Sequence, residues 1–269
     1  MPLPNGVQVI LAPNPSLMTG PGTNSYLVWG PGDRCVVIDP GPDDAGHLRA
    51  IVTAAHGGIK AILVTHGHHD HDAGAANLRA LTGAPVLAWG RAGVPATDQP
   101  LADGAVVDAG GRALRVLHTP GHRFDHLCFL LEDAGALFAG DLVAGVGTVV
   151  IIPPEGDLAD YLTSLDRLLA LPTLRTILPA HGPVVEDGPA LLREYVAHRL
   201  MRERQVLAAL ASGPATIPMI VATIYADVDP ALHAMAGRSV LAHLIKLERE
   251  GRVARAAGAA DDGPWMLTG

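Results

Sequence analysis

The segment "ILVTHGHHDHDAG", Ile62 to Gly74, places four histidines and two aspartates in one short span directly after an apolar run. His66 and His68 stand two apart at the end of an expected strand, and Asp70 and His71 follow at once. In a turn leaving a strand, this spacing can aim all four groups into one concavity. A metal ion requires such convergence, because each neutral imidazole or carboxylate offers one lone pair and three or four must meet within about 2.0 to 2.2 Å of zinc. Imidazole with carboxylate suits zinc, iron or manganese, and the absence of cysteine argues against a closed structural site. Two histidines alone would equally fit a histidine-rich surface loop; four ligand groups at fixed spacing point to a metal. His69, between the candidate ligands, is expected to face solvent.

Further ligands are then expected far along the chain. Three segments offer them: "HTPGH" (His118 to His122), "LFAGD" (Leu137 to Asp141) and "LPAHG" (Leu178 to Gly182). Each sets a histidine or aspartate right after an apolar run, where strand mouths meet.

The elements around these segments form a pattern. Short β-branched runs separated by Pro, Gly and Asn turns, "VQVILA", "YLVWG" and "CVVID", read as strands of an antiparallel sheet. "HLRAIVTAAH" has helical spacing and precedes the buried-strand run "IKAILVTH". Another helix ends at Gly83, residues 105 to 143 read as two hairpins, "LADYLTSLDRLLAL" is an amphipathic helix, and "RTILPAHG" is a strand ending in a histidine. The expected fold class is therefore α/β (α+β), a four-layer αββα sandwich. From about Pro189 a long helix, two more helices and the Gly-containing ribbon "RVARAAGAADDGPWMLTG" follow in winged-helix order. We expect one domain carrying the candidate metal ligands over 1–190 and a linker helix with a small C-terminal winged-helix domain over 191–269, "RAAGAADDG" being a hairpin tip or wing.

Composition narrows the function. The chain has 269 residues, 49 % of them hydrophobic, and a formal charge of −8 from 19 basic and 27 acidic residues, with no run of five like charges. That disfavours a strongly basic nucleic-acid binder. Cys35 and Cys128, the two cysteines, sit in strand-like apolar runs and imply no disulfide framework. The opening "MPLPNGVQVILAPNPS" has no basic segment ahead of an apolar stretch, and "ALFAGDLVAGVGTVVII" is interrupted by Asp141 and glycines, so a cytoplasmic protein without a membrane span is expected.

The metal-ligand segments, together with Asp39 in "VVIDPG", resemble the five signature motifs of the metallo-β-lactamase fold superfamily, in order across roughly residues 20 to 185. The resemblance implies one metal held by His66, His68 and His122, a second held by Asp70, His71 and His181, and Asp141 bridging the two. Two Zn2+ ions are the expected cofactors, with Fe or Mn as alternatives. Two cations sharing a water would lower its pKa toward neutrality and give a bridging hydroxide nucleophile, which Asp70 would orient while shuttling its proton.

Asp141 stands where true β-lactamases usually differ and where thioesterases and ribonucleases of the fold keep an aspartate. The glutathione-binding pattern of glyoxalase II enzymes is not found. The segments "GPGTNSYLV", "HTPGHRFDHLCF", "FAGDLVAGVGTVV", "DYLTSL", "HRLMRERQV" and "IYADVDPALHAMAGRSVLAHLIKLEREGRV" resemble the β-lactamase-like protein 2 family, whose members join this domain to a winged-helix tail. That family includes a zinc-dependent endoribonuclease acting on single-stranded RNA, so RNA cleavage is one expected activity. Arg193, His198, Arg199, Arg202 and Arg204 on the linker helix would hold phosphates, or form a solvated helix face paired with Glu194 and Glu203. Hydrolysis of a small ester, thioester, lactone or lactam is the alternative, and a non-enzymatic nucleic-acid-binding regulator a third reading. Aromatic residues, 4 % of the chain, offer little platform for stacking bases. In the tail, Arg238, Lys246 and Arg249 are the basic candidates for DNA contact; a tail that covers the active-site rim or forms a homodimer is preferred.

His118 and His126 are expected to hydrogen-bond within loops, Asn24, Ser25, Thr148 and Tyr161 resemble cleft positions with structural alternatives, and His47, His56, His233 and His243 are read as surface or core residues.

Overall fold

The computed structural model describes residues 3–256 and 263–268, so most of the expected wing tip lies outside the described residues. The first sheet contains β1 (Val7–Leu11), β2 (Asn24–Val28), β3 (Cys35–Ile38), β4 (Ile59–Leu63), β5 (Val86–Ala88) and β6 (Gln99–Pro100) in that spatial order. β1, β2 and β3 are antiparallel as expected, whereas β3 to β6 are parallel, with helix α1 (Ala45–Ala54) in the β3–β4 crossover, helices α2 (His69–Asp72) and α3 (Ala75–Thr82) in the β4–β5 crossover, and a loop joining β5 to β6. The second sheet runs β11 (Thr176–Pro179), β10 (Ala136–Gly140), β9 (Leu127–Leu131), β8 (Ala113–His118), β7 (Val106–Asp108), with α4 (Leu158–Leu169) inserted before β11.

The period-2 alternation of the strands sorts their side chains into two cores. In β3, Val36 and Ile38 face inward with Tyr26, Leu63, Phe129 and Phe138, between the sheets. Cys35 and Val37 face outward against Leu48, Ile51 and Leu78 of α1 and α3. On the second sheet Leu130 and Leu137 pack outward against Leu165 and Leu168 of α4. Four layers, αββα, follow from that division, and the sandwich expected from the strand and helix pattern is present.

Helix α5 (Gly188–Leu210) serves both parts of the chain. Its first half gives Leu192 and Tyr195 to the core under the second sheet, and its second half gives Val206 and Leu210 to the tail core. That tail core also contains Ile220 from α6 (Ile217–Ile224), Val240, Leu244 and Leu247 from α7 (His233–Arg249), and Trp265 from the β12 (Val253–Arg255) and β13 (Trp265–Leu267) ribbon. The tail is fastened to the sandwich by Ala242, which joins the core under the second sheet, and by an ion pair between Arg249 and Asp157, the N-cap of α4. No helix among the described residues is long and apolar enough to cross a membrane.

Candidate metal centre

The centre lies where strands of both sheets end. β4 is followed by Val64, Thr65 and then His66, Gly67 and His68. Glycine is required between the two histidines because a Cβ there would sit 1.9 Å from the Gly93 carbonyl oxygen. The backbone N–H of Gly67 donates to Asp125 Oδ2 at 3.0 Å, and Arg123 Nε donates to the other oxygen at 2.8 Å, so the turn is held from behind. One turn of α2 then presents Asp70 and buried His71. His122 comes from the loop after β8, Asp141 directly follows β10, and His181 follows β11.

The structure brings these seven side chains into two adjoining groups. His66, His68, His122 and Asp141 form one, and Asp70, His71 and His181 the other; within each, all candidate ligand atoms lie within 4.8 Å of one another. Asp141 faces both. Its Oδ2 is 4.0 Å from His66 Nε2 and 3.7 Å from His122 Nε2, while its Oδ1 is 3.5 Å from His71 Nε2 and 3.2 Å from His181 Nε2.

Four of the imidazoles are turned by a bond on the far nitrogen, which sets which nitrogen faces the cluster, His66 Nδ1 lying 3.0 Å from Thr65 Oγ1. His71 Nδ1 is 2.8 Å from Asp39 Oδ2, His122 Nδ1 donates to the Val150 carbonyl at 2.9 Å, and His181 Nδ1 is 3.3 Å from the Gly22 carbonyl. Asp39 is itself fixed by the Thr65 backbone N–H at 2.7 Å and the Thr65 hydroxyl at 2.8 Å. It adopts φ 51°, a left-handed conformation rare outside glycine. Asp39 is thus the orienting partner of His71, a role visible in the sequence only as an aspartate at the end of an apolar strand.

The charges are divided to suit cations. Burial, neighbouring imidazoles and Arg123 push the His68 pKa down to about 4, and burial with the same crowding lowers His66 and His122. Burial would lower His181 too, but its bonds to Asp141 and Asp70 raise it to about 9, and Asp141 and Asp39 raise buried His71. Burial would raise Asp70 and Asp141, yet His71 and His181 outweigh it and hold both well below the usual carboxylate range. Among the described residues, His71 Nε2 is buried without a hydrogen-bond partner. An orphaned nitrogen aimed at two carboxylates, with three neutral imidazoles at one group and ionised aspartates between them and the other, fits divalent metal ions that displace the protons of His71 and His181.

Other expectations resolve locally. His69 is fully exposed. His118 stacks on Trp89 at 3.7 Å and bonds the Phe124 carbonyl, a loop role. Asn24 Nδ2 donates to the carbonyls of Pro179 and Gly182 and so pins the His181 loop. Tyr161 donates to the Leu142 carbonyl from a fully buried position, and Ser25 bonds His47 inside the protein. Lys246 is engaged by Glu203 and Glu250, and Arg249 by Asp157.

The centre opens into a cleft of about 870 Å³ that His122, Asp141 and His181 line beside Val9, Leu11, Leu17, Met18 and Val146. Met235 of α7 closes one side, so the tail contributes to the cleft wall. Neither Asp39's role nor Met235's position has a spacing signal in the sequence.

Residues 18–181 match the Metallo-beta-lactamase superfamily, and residues 216–265 match the Beta-lactamase associated winged helix domain. The chain belongs to the metallo-β-lactamase superfamily. Like the chain, a beta-lactamase-like protein 2 homolog from Drosophila melanogaster spans both parts; the two are 35% identical over 97% of this chain and 93% of that protein. An atrochrysone carboxyl ACP thioesterase from Aspergillus chevalieri is 37% identical over 81% of this chain and 73% of its own length. Among solved structures, a metallo-beta-lactamase family protein from Thermus thermophilus superposes with a TM-score of 0.80 at 25% identity, over 98% of this chain and 99% of that one. As a superfamily member with hydrolytic relatives, the protein is a metallo-hydrolase.

Proposed function

We propose that the protein hydrolyses esters or thioesters with an apolar acyl group, using two divalent metal ions. The observation that carries this reading is the wall of the metal-facing cleft: Leu17 is 90 % exposed, Val146 76 % and Met18 54 %, all lining the cleft that Asp141 and His181 also line. Exposed aliphatic side chains clustered at a polar reaction centre are what an apolar substrate requires. The thioesterase named among the relatives supports the same substrate class.

His66, His68 and His122 would hold one ion and Asp70, His71 and His181 the second, with Asp141 turning one oxygen to each group. Zinc is the expected metal, with iron or manganese suited to the same donors. Bound, the ions supply a water nucleophile active near neutral pH and a sink for developing negative charge. The chain does the rest. Asp39 holds His71, the Val150 carbonyl holds His122, and Asp70 is kept ionised by His181 and His71, the form that accepts a proton.

The endoribonuclease reading needs a basic face of α5 turned to the cleft. Arg199 is instead buried against the Val149 carbonyl, and Arg202 lies over the Tyr225 ring at 4.4 Å. Buried free thiols at Cys35 and Cys128 suit a reducing compartment such as the cytoplasm.

The test sets zinc-reconstituted protein against acyl thioesters of increasing chain length and against single-stranded RNA, with Asp141→Ala as control. Rising kcat/KM with acyl length, lost in the variant, is expected. RNA cleavage without thioester turnover would replace this reading with the nuclease.

A further inference from the structure

Beside the metal cleft lies a second cavity of about 210 Å³, between α5 and α7. The two cavities share Thr148, Val149, Val150 and Met235 as a common wall. Behind that wall the second cavity is lined by His198, Arg199, Arg202 and Tyr225, with Ser239 of α7 among the remaining lining residues.

Both guanidiniums are incompletely satisfied. Arg199, 2 % exposed, donates through Nη2 to Thr148 Oγ1 at 3.2 Å and the Val149 carbonyl at 2.5 Å, while its Nε is buried without a hydrogen-bond partner among the described residues. Arg202 donates through Nη1 to Gln205 Oε1 at 3.0 Å, and its Nε is buried and partnerless in the same way. Among the described residues neither forms an ion pair. Glu203, the buried carboxylate on the same helix, is already engaged by Lys246 at 2.6 Å and Arg252 at 2.9 Å. Glu194 is exposed.

A buried cation without counter-charge, as Arg199 is, is destabilising, and buried N–H donors such as the Nε of half-buried Arg202 are almost always satisfied. Two guanidiniums at one small cavity, with donors to spare and no carboxylate, match an oxyanion that accepts several charge-assisted hydrogen bonds. We propose that this cavity is an anion subsite, in which Arg199 and Arg202 receive a carboxylate or phosphate group. The group arrives either as the far end of a substrate whose reacting end is at the metals, or as a free anion. The first source rests on the hydrolase reading above; anion binding itself does not.

The experiment uses metal-loaded protein, Arg202→Gln and Ser239→Asp. The second variant places a carboxylate in the cavity, so it tests the site even where the first fails to fold. Two thioesters of equal chain length, one ending in a methyl group and one in a carboxylate, are compared by kcat/KM, and inorganic phosphate binding is followed by calorimetry at fixed ionic strength. At least a tenfold preference for the carboxylate-ended thioester is expected, falling to near unity in both variants, with Ser239→Asp also raising Tm. Equal rates with phosphate binding that both variants abolish would support the subsite with a free anion as its ligand. Hydrolysis of neither thioester, with variant-sensitive phosphate binding, would remove the thioesterase reading and leave the subsite standing. No preference and no variant-sensitive phosphate binding would overturn it.

Discussion

The backbone N–H of Asp141 donates to Nε2 of His126 at 3.1 Å. That bond leaves the ring proton on Nδ1, which faces Thr119 Oγ1 at 2.9 Å. His126 is fully buried, and burial with the nearby imidazoles holds its pKa far down, so it stays a neutral acceptor. A Cβ at Gly140 would lie 2.7 Å from the same Nε2, and Gly140 adopts φ 49°, so glycine there lets the ring reach the backbone beside Asp141.

His126 therefore positions the aspartate that faces both halves of the centre. His126→Leu removes the acceptor while keeping an apolar volume. Partners of this kind are worth about 10- to 100-fold in metal affinity, and a loss of that size is expected in competition with a chromophoric chelator. Unchanged affinity would reduce His126 to packing.

Metal binding is expected to release protons. Binding requires neutral imidazole, yet in the metal-free chain His181 titrates at about 9 and His71 is raised as well. Apparent affinity should rise with pH through the neutral range toward 9. Calorimetry at pH 7.5 in buffers of different ionisation enthalpy should report at least one proton released per chain; a buffer-independent enthalpy would contradict the protonation scheme.

Stability should carry the mark of His243, a buried histidine whose ring nitrogens both lack hydrogen-bond partners among the described residues. Burial, with Arg199 and Lys246 nearby, lowers its pKa from 6.5 to about 3. Between those values the unfolded chain binds a proton that the folded chain refuses, so this group destabilises the fold as pH drops below 6.5. His243→Leu should flatten urea-derived stability between pH 6.5 and 4, removing a slope of up to about 1.4 kcal/mol per pH unit. An unaltered slope would assign the acid sensitivity elsewhere.

The apolar cleft wall makes a separable prediction. Leu17→Ser and Val146→Ser remove exposed aliphatic surface, so folding stability should change little. KM for a long-chain thioester should rise several-fold while that for an acetyl thioester holds. Equal effects on both would mean that the acyl chain does not lie on this wall.

Much of this architecture was legible in the residues. The apolar runs ending in His66, Asp141 and His181 placed three strand ends together, because a ligand at the mouth of a buried strand projects into the layer boundary. Gly83 ended its helix as a left-handed cap at φ 71°. What the sequence withheld depends on long-range packing. The parallel run from β3 to β5 follows from helical crossovers whose partners are not encoded locally. Arg199 reads as one more cation on a helix face, yet it is buried in the fold. Asp39 carries no periodic signature of its bond to His71, since that pairing joins segments far apart in the chain.

Metal content is the most direct test of the central claim, that seven side chains form one two-ion centre divided by Asp141. Elemental analysis of zinc-reconstituted, gel-filtered protein should give two ions per chain, falling to one or fewer in Asp141→Ala with the far-ultraviolet circular dichroism unchanged. A single ion in the unaltered protein, or two retained in the variant, would contradict it.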